Sequence, residues 1–79
     1  MSSIKMYGTT WCSDCHRSRR FLDGHGIPYQ WINIEEEPWG ADEVRRVNQG
    51  LQVVPTIVFE DGSVLTEPSD SDLKTKLGL

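Results

Sequence analysis

Apolar and polar residues alternate over Ile4-Lys5-Met6-Tyr7 and stop at Gly8-Thr9-Thr10, which predicts a short first strand and a loop. From Ser13 to about Asp23 there is no Gly or Pro before the stop at Gly24 and Gly26, and Cys15, Ser18 and Leu22 recur at helical spacing. Pro28 to Ile34 predicts a second strand, Tyr29, Trp31 and Asn33 alternating against Gln30, Ile32 and Ile34. Apolar groups on both of its faces point to a central, doubly covered strand of the parallel type. Glu35-Glu36-Glu37-Pro38 precedes a second helix, roughly Ala41 to Gln49. Its buried stripe is expected at Val44, Val47 and Leu51, with Asp42 and Glu43 in the first turn and Gly50 at the end.

Further on, Thr56-Ile57-Val58-Phe59-Glu60 and Val64-Leu65-Thr66 flank Asp61-Gly62-Ser63, and Asp-Gly between β-rich runs is a hairpin signal. Ser69-Asp70-Ser71-Asp72 opens a last helix that runs through Leu73 and Leu77 to Gly78. The predicted order is β-α-β-α-β-β-α: an α/β fold with one parallel crossover unit, then an antiparallel hairpin and a terminal helix. No repeat or linker interrupts it, and 79 residues leave no room for a second core, so residues 1–79 are expected to form one domain.

Composition narrows the function classes. A net charge of −4 argues against a nucleic-acid partner, which calls for a basic face. The basic cluster Arg17, Arg19 and Arg20 is too small for that role, though well placed to bias a nearby sulfur. No run approaches the roughly 18 apolar residues of a membrane span. Met1-Ser2-Ser3-Ile4-Lys5 lacks the charged-then-apolar pattern of a signal peptide. A monomer in the reducing cytoplasm, with no membrane partner, is the expectation.

The only two cysteines stand in Thr10-Trp11-Cys12-Ser13-Asp14-Cys15-His16, between the first strand and the first helix. C-x-x-C is also half of a zinc site, and C-x-x-C-H attaches haem c. Haem does not suit a strand-rich pattern, and zinc would need His16 and His25 at a spacing no known site uses, so no metal and no bound cofactor is expected. Nor does the pair suit a structural cross-link. Closing so short a loop restricts the unfolded chain by only about 2 kcal/mol, against about 4 for a bridge spanning most of the chain.

What remains is thiol–disulfide chemistry. If the helix begins at Ser13, Cys12 is its N-cap, and its sulfur can accept the amide hydrogens of Asp14 and Cys15. The helix dipole adds roughly 0.3–1 kcal/mol in favour of a thiolate. The three arginines either add to this or form a solvated helix face, while Asp14 opposes it. Cys15, one turn inside, is the natural resolving thiol. Trp11 either presents a flat surface to substrate or is a core or rim aromatic, and His16 belongs on the helix surface. In Val53-Val54-Pro55-Thr56 the proline must mark the start of a strand, because it cannot sit inside a central one. A cis bond there would leave the Val54 backbone free to pair with a substrate, and a trans turn proline is the alternative.

These segments together resemble a glutaredoxin: the strand, Trp11-Cys12-x-x-Cys15, the second strand after Gly26-Ile27-Pro28, Val54-Pro55-Thr56, Asp61-Gly62 and the Ser71-Asp72 pair. Residues 9–36 and 47–62 look most like the mycoredoxin-type branch. The resemblance implies a thioredoxin fold, with a four-stranded mixed sheet flanked by three helices. It implies Cys12 as nucleophile, Cys15 as resolving thiol, Pro55 as a cis proline, and Val54 and Asp72 as contacts for a small thiol; with Trp11, Pro55 and Ser71 these make up the expected substrate-binding surface. The implied activity is reduction of mixed disulfides between proteins and a low-molecular-weight thiol, mycothiol or glutathione, as co-substrate. The alternative is a thioredoxin-like reductant of protein disulfides recharged by a flavoprotein disulfide reductase. The aromatic-rich C-terminal segment of redoxins dedicated to ribonucleotide reductase is absent from Leu65 to Leu79.

Two departures bear on the thiol. Ser13-Asp14 stands where glutaredoxins commonly carry Pro-Tyr, and Glu67-Pro68 where many carry Gly-Gly before the last helix. Both changes add negative charge, and the second removes an N–H. They weigh against glutathione, which brings two carboxylates, and favour a sugar-containing thiol, mycothiol first.

Overall fold

Strand β1 (Lys5–Gly8) runs through the middle of the sheet in this computed structural model, which describes residues 4–79; Met1-Ser2-Ser3 of the N-terminal reading lies outside them. On one side β1 pairs in parallel with β2 (Gln30–Asn33), and on the other antiparallel with β3 (Thr56–Val58). Antiparallel pairing of β3 with β4 (Val64–Thr66) completes the order β2-β1-β3-β4. Helix α1 (Ser13–Gly24) follows β1, α2 (Pro38–Val47) follows β2 and α3 (Asp70–Leu77) closes the chain, the element order expected.

The two-residue period of β1 decides how the helices are layered. Met6 points to one face and packs with Leu22 of α1, Leu73 of α3, Ile57 and Phe59; Tyr7 points to the other and packs with Ile32, Ile34 and Val44 of α2. All of these are buried, and each such side chain contributes about 1.5–3 kcal/mol, so two small clusters clamp the sheet between its helix layers. Among the described residues, no helix is long and apolar enough to cross a membrane.

Expectations for three elements need correction. β2 is an edge strand, not a central one, and is shorter than 28–34. Apolar residues occupy both its faces because helices cover both, which does not require a strand on either side. Trp31 packs towards the Met6 cluster, while Ile32 and Ile34 belong to the Tyr7 cluster. Helix α2 starts earlier than expected, with Pro38 in its first turn, where the ring's fixed φ suits a helix and its missing N–H costs nothing. It also ends at Val47, so Leu51 falls beyond it and is exposed rather than part of a buried stripe. Strand β3 likewise ends at Val58, before Phe59 and Glu60.

Candidate active site

The chain leaves β1 at Gly8, and the next helix is capped by a sulfur. Cys12 has extended backbone (φ −83°, ψ 115°), and the Cys15 N–H donates to its Sγ at 3.1 Å. Of the two amides expected to do this, it is the Cys15 one that reaches the sulfur. The Cys12 thiol in turn donates to the Val54 carbonyl at 3.8 Å, which places it against the loop before β3. Both cysteines are unbonded thiols; Cys12 is 9% exposed and Cys15 is fully buried.

Burial pushes the Cys15 thiol up to about 12, and its hydrogen bond to Cys12 and the nearby Asp14 charge act in the same direction. The Thr9 backbone N–H works against them. The two sulfurs therefore differ in character: one slightly exposed with an amide donor, the other fully enclosed and held neutral.

Gly8 is what lets Cys15 lie so deep. A Cβ there would stand 2.6 Å from the Cys15 Sγ and 2.8 Å from the Trp31 ring. Trp31 has little freedom to give way, because the Arg19 guanidinium stacks on its ring at 4.2 Å while Arg19 Nε donates to the Tyr29 hydroxyl. Gly8→Ala is expected to destabilise the reduced protein by about 1–3 kcal/mol, the usual cost of overpacking. Urea unfolding would show this as a lower midpoint at constant m, and an unchanged midpoint would mean that the methyl is absorbed.

On the other side of Cys12, the Val54–Pro55 bond is cis and Pro55 is buried. Two side chains hold the loop. Thr56 Oγ1 donates to the Val53 carbonyl at 2.7 Å, and Asn48 Nδ2 donates to Thr56 Oγ1 at 3.1 Å and to the Val44 carbonyl at 2.8 Å. Glu67 N–H donates to the Pro55 carbonyl at 2.9 Å, tying the turn before α3 to the same loop. Glu67 is left-handed at φ +48°, a region a non-glycine residue rarely occupies, at the first of the two positions where many glutaredoxins carry glycines.

Trp11 is a rim residue and not a core one: it is 70% exposed, and its Nε1–H donates to Glu35 Oε1 at 3.1 Å. His16 lies on the surface, its Nε2 bonded to the Thr10 carbonyl at 2.6 Å. His25 stands at the opposite end of α1, tilted against Phe21. Among the described residues, no group of three His, Cys, Asp or Glu is arranged to hold a metal. Ser71 and Asp72 lie in the first turn of α3. There the Asp72 carboxylate accepts the Ser69 N–H at 3.0 Å and Ser69 Oγ accepts the Asp72 N–H at 3.0 Å, so the expected acid already serves as half of a capping box.

The structure thus brings Cys12, Cys15, Val54 and Pro55 into one cluster, with Trp11 at its rim. Gly8, Glu35 and the left-handed Glu67 were not singled out for these contacts by sequence reasoning. A glycine directly between a strand and a C-x-x-C motif was the one usable signal for the first. A slightly exposed sulfur beside a fully buried neutral one is an arrangement suited to exchange through a mixed disulfide.

Comparison with known proteins agrees. The glutaredoxin family model matches residues 4–64. A Mycobacterium tuberculosis protein that carries a provisional glutaredoxin name is 40% identical over 76 residues, 96% of this chain and 90% of that one. Mycoredoxin 1 of Corynebacterium glutamicum is 31% identical over 77 residues, 98% of this chain and 95% of its own. In three dimensions the chain matches the glutaredoxin from Methanosarcina mazei Go1 with a TM-score of 0.81 at 23% identity, over 99% of this chain and 80% of that one.

Proposed function

This chain belongs to the glutaredoxin family, and we propose that it reduces mixed disulfides between proteins and a low-molecular-weight thiol, with mycothiol preferred over glutathione. The chemistry is thiol–disulfide exchange. The Cys12 thiolate attacks the small-thiol sulfur of the mixed disulfide, a Cys12–thiol disulfide forms, and the target protein leaves as its thiolate. A second small thiol then attacks the bound one, releasing the small-thiol disulfide and restoring Cys12. Alternatively the Cys15 thiolate attacks Cys12, expels the small thiol and leaves a Cys12–Cys15 disulfide. Two electrons pass to the target on either route.

The observation that carries this reading is the environment of Cys12. Its sulfur accepts the Cys15 amide at 3.1 Å and lies 3.8 Å from the Val54 carbonyl, at the N-terminus of α1. Trp11, Val54, Pro55, Ser71 and Asp72 form the proposed substrate surface around it. The preference for mycothiol rests on charge: Asp14 lies in the motif, Glu67 before α3 and Asp70 and Asp72 in its first turn, and mycothiol has no carboxylate to be repelled. Work in a reducing compartment, the cytoplasm, follows from the need to keep both thiols reduced, and a monomer suffices because one chain supplies every group named.

The test is parallel reduction of one protein's mixed disulfides with mycothiol, bacillithiol and glutathione, beside an assay coupled to a flavoprotein disulfide reductase. Two lost charge-assisted contacts would cost glutathione about ten- to a hundredfold in kcat/KM relative to mycothiol. Equal or better turnover of the glutathione mixed disulfide would refute the preference. Turnover confined to the flavoprotein-coupled assay would refute the mixed-disulfide reading itself.

A further inference from the structure

Arg17 was noted in the sequence only as one of three arginines near a sulfur. Its contacts point elsewhere. Nη1 lies 3.4 Å from Asp14 Oδ1, Nη2 donates to the Pro68 carbonyl at 3.3 Å, and Nε lies 4.0 Å from Asp70 Oδ1. One side chain of α1 thus spans from the residues between the two cysteines to the turn that opens α3. That turn is also joined to the cis-proline loop, through the Glu67 N–H and the Pro55 carbonyl. Arg17 therefore borders the side of the site enclosed by α1, the Pro55 loop and the first turn of α3, where the proposed surface for the small thiol lies.

A guanidinium recognises a carboxylate best with two adjacent N–H donors presented as a fork. Here the nitrogens are divided among three separate partners, and two of those partners are the chain's own carboxylates. We propose that Arg17 is a specificity-determining residue. Asp14 and Asp70 occupy the cation that an incoming thiol with carboxylates would need, so the site selects thiols that carry none. Mycothiol has no carboxylate to offer and loses nothing by this occupation. Glutathione must displace an internal acid or bind without a cation. The inference rests on the proposed use of a low-molecular-weight thiol and names the device that sets its choice.

Both internal acids are substantially exposed, with side chains 44% and 55% accessible, so changing them to amides spares the core. The measurement is the ratio of kcat/KM for the glutathione mixed disulfide to that for the mycothiol mixed disulfide of the same protein. Any effect on Cys12 or Cys15 reactivity enters both terms and cancels. The double variant Asp14→Asn/Asp70→Asn should raise this ratio about tenfold, the equivalent of 1.4 kcal/mol. Adding Arg17→Gln to it should remove at least two thirds of that gain. An unchanged ratio in the double variant overturns the proposal, and so does a gain that survives in full without Arg17, since loss of repulsion alone would then explain it. The wild-type ratio separately tests the preference for mycothiol. The change in ratio tests the role of Arg17 whichever thiol the wild type prefers.

Discussion

Cys12→Ser is expected to abolish mixed-disulfide reduction, whereas Cys15→Ser should retain much of it and accumulate a Cys12 adduct. The asymmetry follows from burial and polarity. Cys12 is the more accessible of the two and its sulfur accepts the Cys15 amide, while Cys15 is fully enclosed and its thiol is pushed up to about 12. Burial holds the proton on Cys15, so at pH 6 a small alkylating agent should label Cys12 and spare Cys15. Mass spectrometry of the singly labelled protein reads this directly. Faster labelling of Cys15 would reverse the assignment.

The second large effect is in the pH dependence of the resolving step. When Cys12 carries a small thiol, release by Cys15 requires the Cys15 thiolate. Burial, the leading cause of its raised pKa, persists in the adduct even though the Cys12 thiol does not. The rate of release in a single turnover, without added thiol, should therefore climb about tenfold per pH unit from pH 6 to 8, a hundredfold in all. A flat profile would show that Cys15 is already ionised in the adduct. Linkage gives the matching sign for stability. A folded-state pKa above the ordinary 9.0 means that the native state holds the proton more tightly. That stabilisation is fully present below pH 9 and is lost as pH rises from there towards 12, so the reduced protein should unfold more easily in that interval. Cys15→Ser should weaken the dependence.

Much of this was legible in the chain itself. Period-two alternation over Ile4–Tyr7, the cysteine at a strand-to-helix junction and the Asp-Gly turn are local signals, and local signals define elements well. The place of a strand in its sheet is not local. Trp31, Ile32 and Ile34 read as central because apolar residues report coverage by helices, not pairing by neighbouring strands. Leu51 fitted the helical stripe by spacing, but α2 had already ended at Val47.

The same division holds at the site. Cys12, Cys15 and Pro55 stand out through motifs and spacing. The Cβ conflict at Gly8 arises from Cys15 on α1 and Trp31 on the adjacent strand, and the reach of Arg17 to the Pro68 carbonyl crosses the chain from the first helix to the approach to the last. Such contacts exist only once the sheet has formed, and no period in the sequence encodes them.

Because a sulfur takes the place an oxygen fills in an ordinary N-cap, the start of α1 belongs to the redox couple as well as to the fold. A Cys12 thiolate is a good acceptor for the Cys15 amide, and a Cys12 in a disulfide is a poorer one. The difference is of the order of a helix cap, about 1 kcal/mol, which for a two-electron couple is roughly 20 mV. Its sign favours the reduced form and makes the protein slightly more oxidising than its chemistry alone would. Residues of the first helical turn that strengthen or weaken this cap therefore adjust the midpoint potential without touching either sulfur.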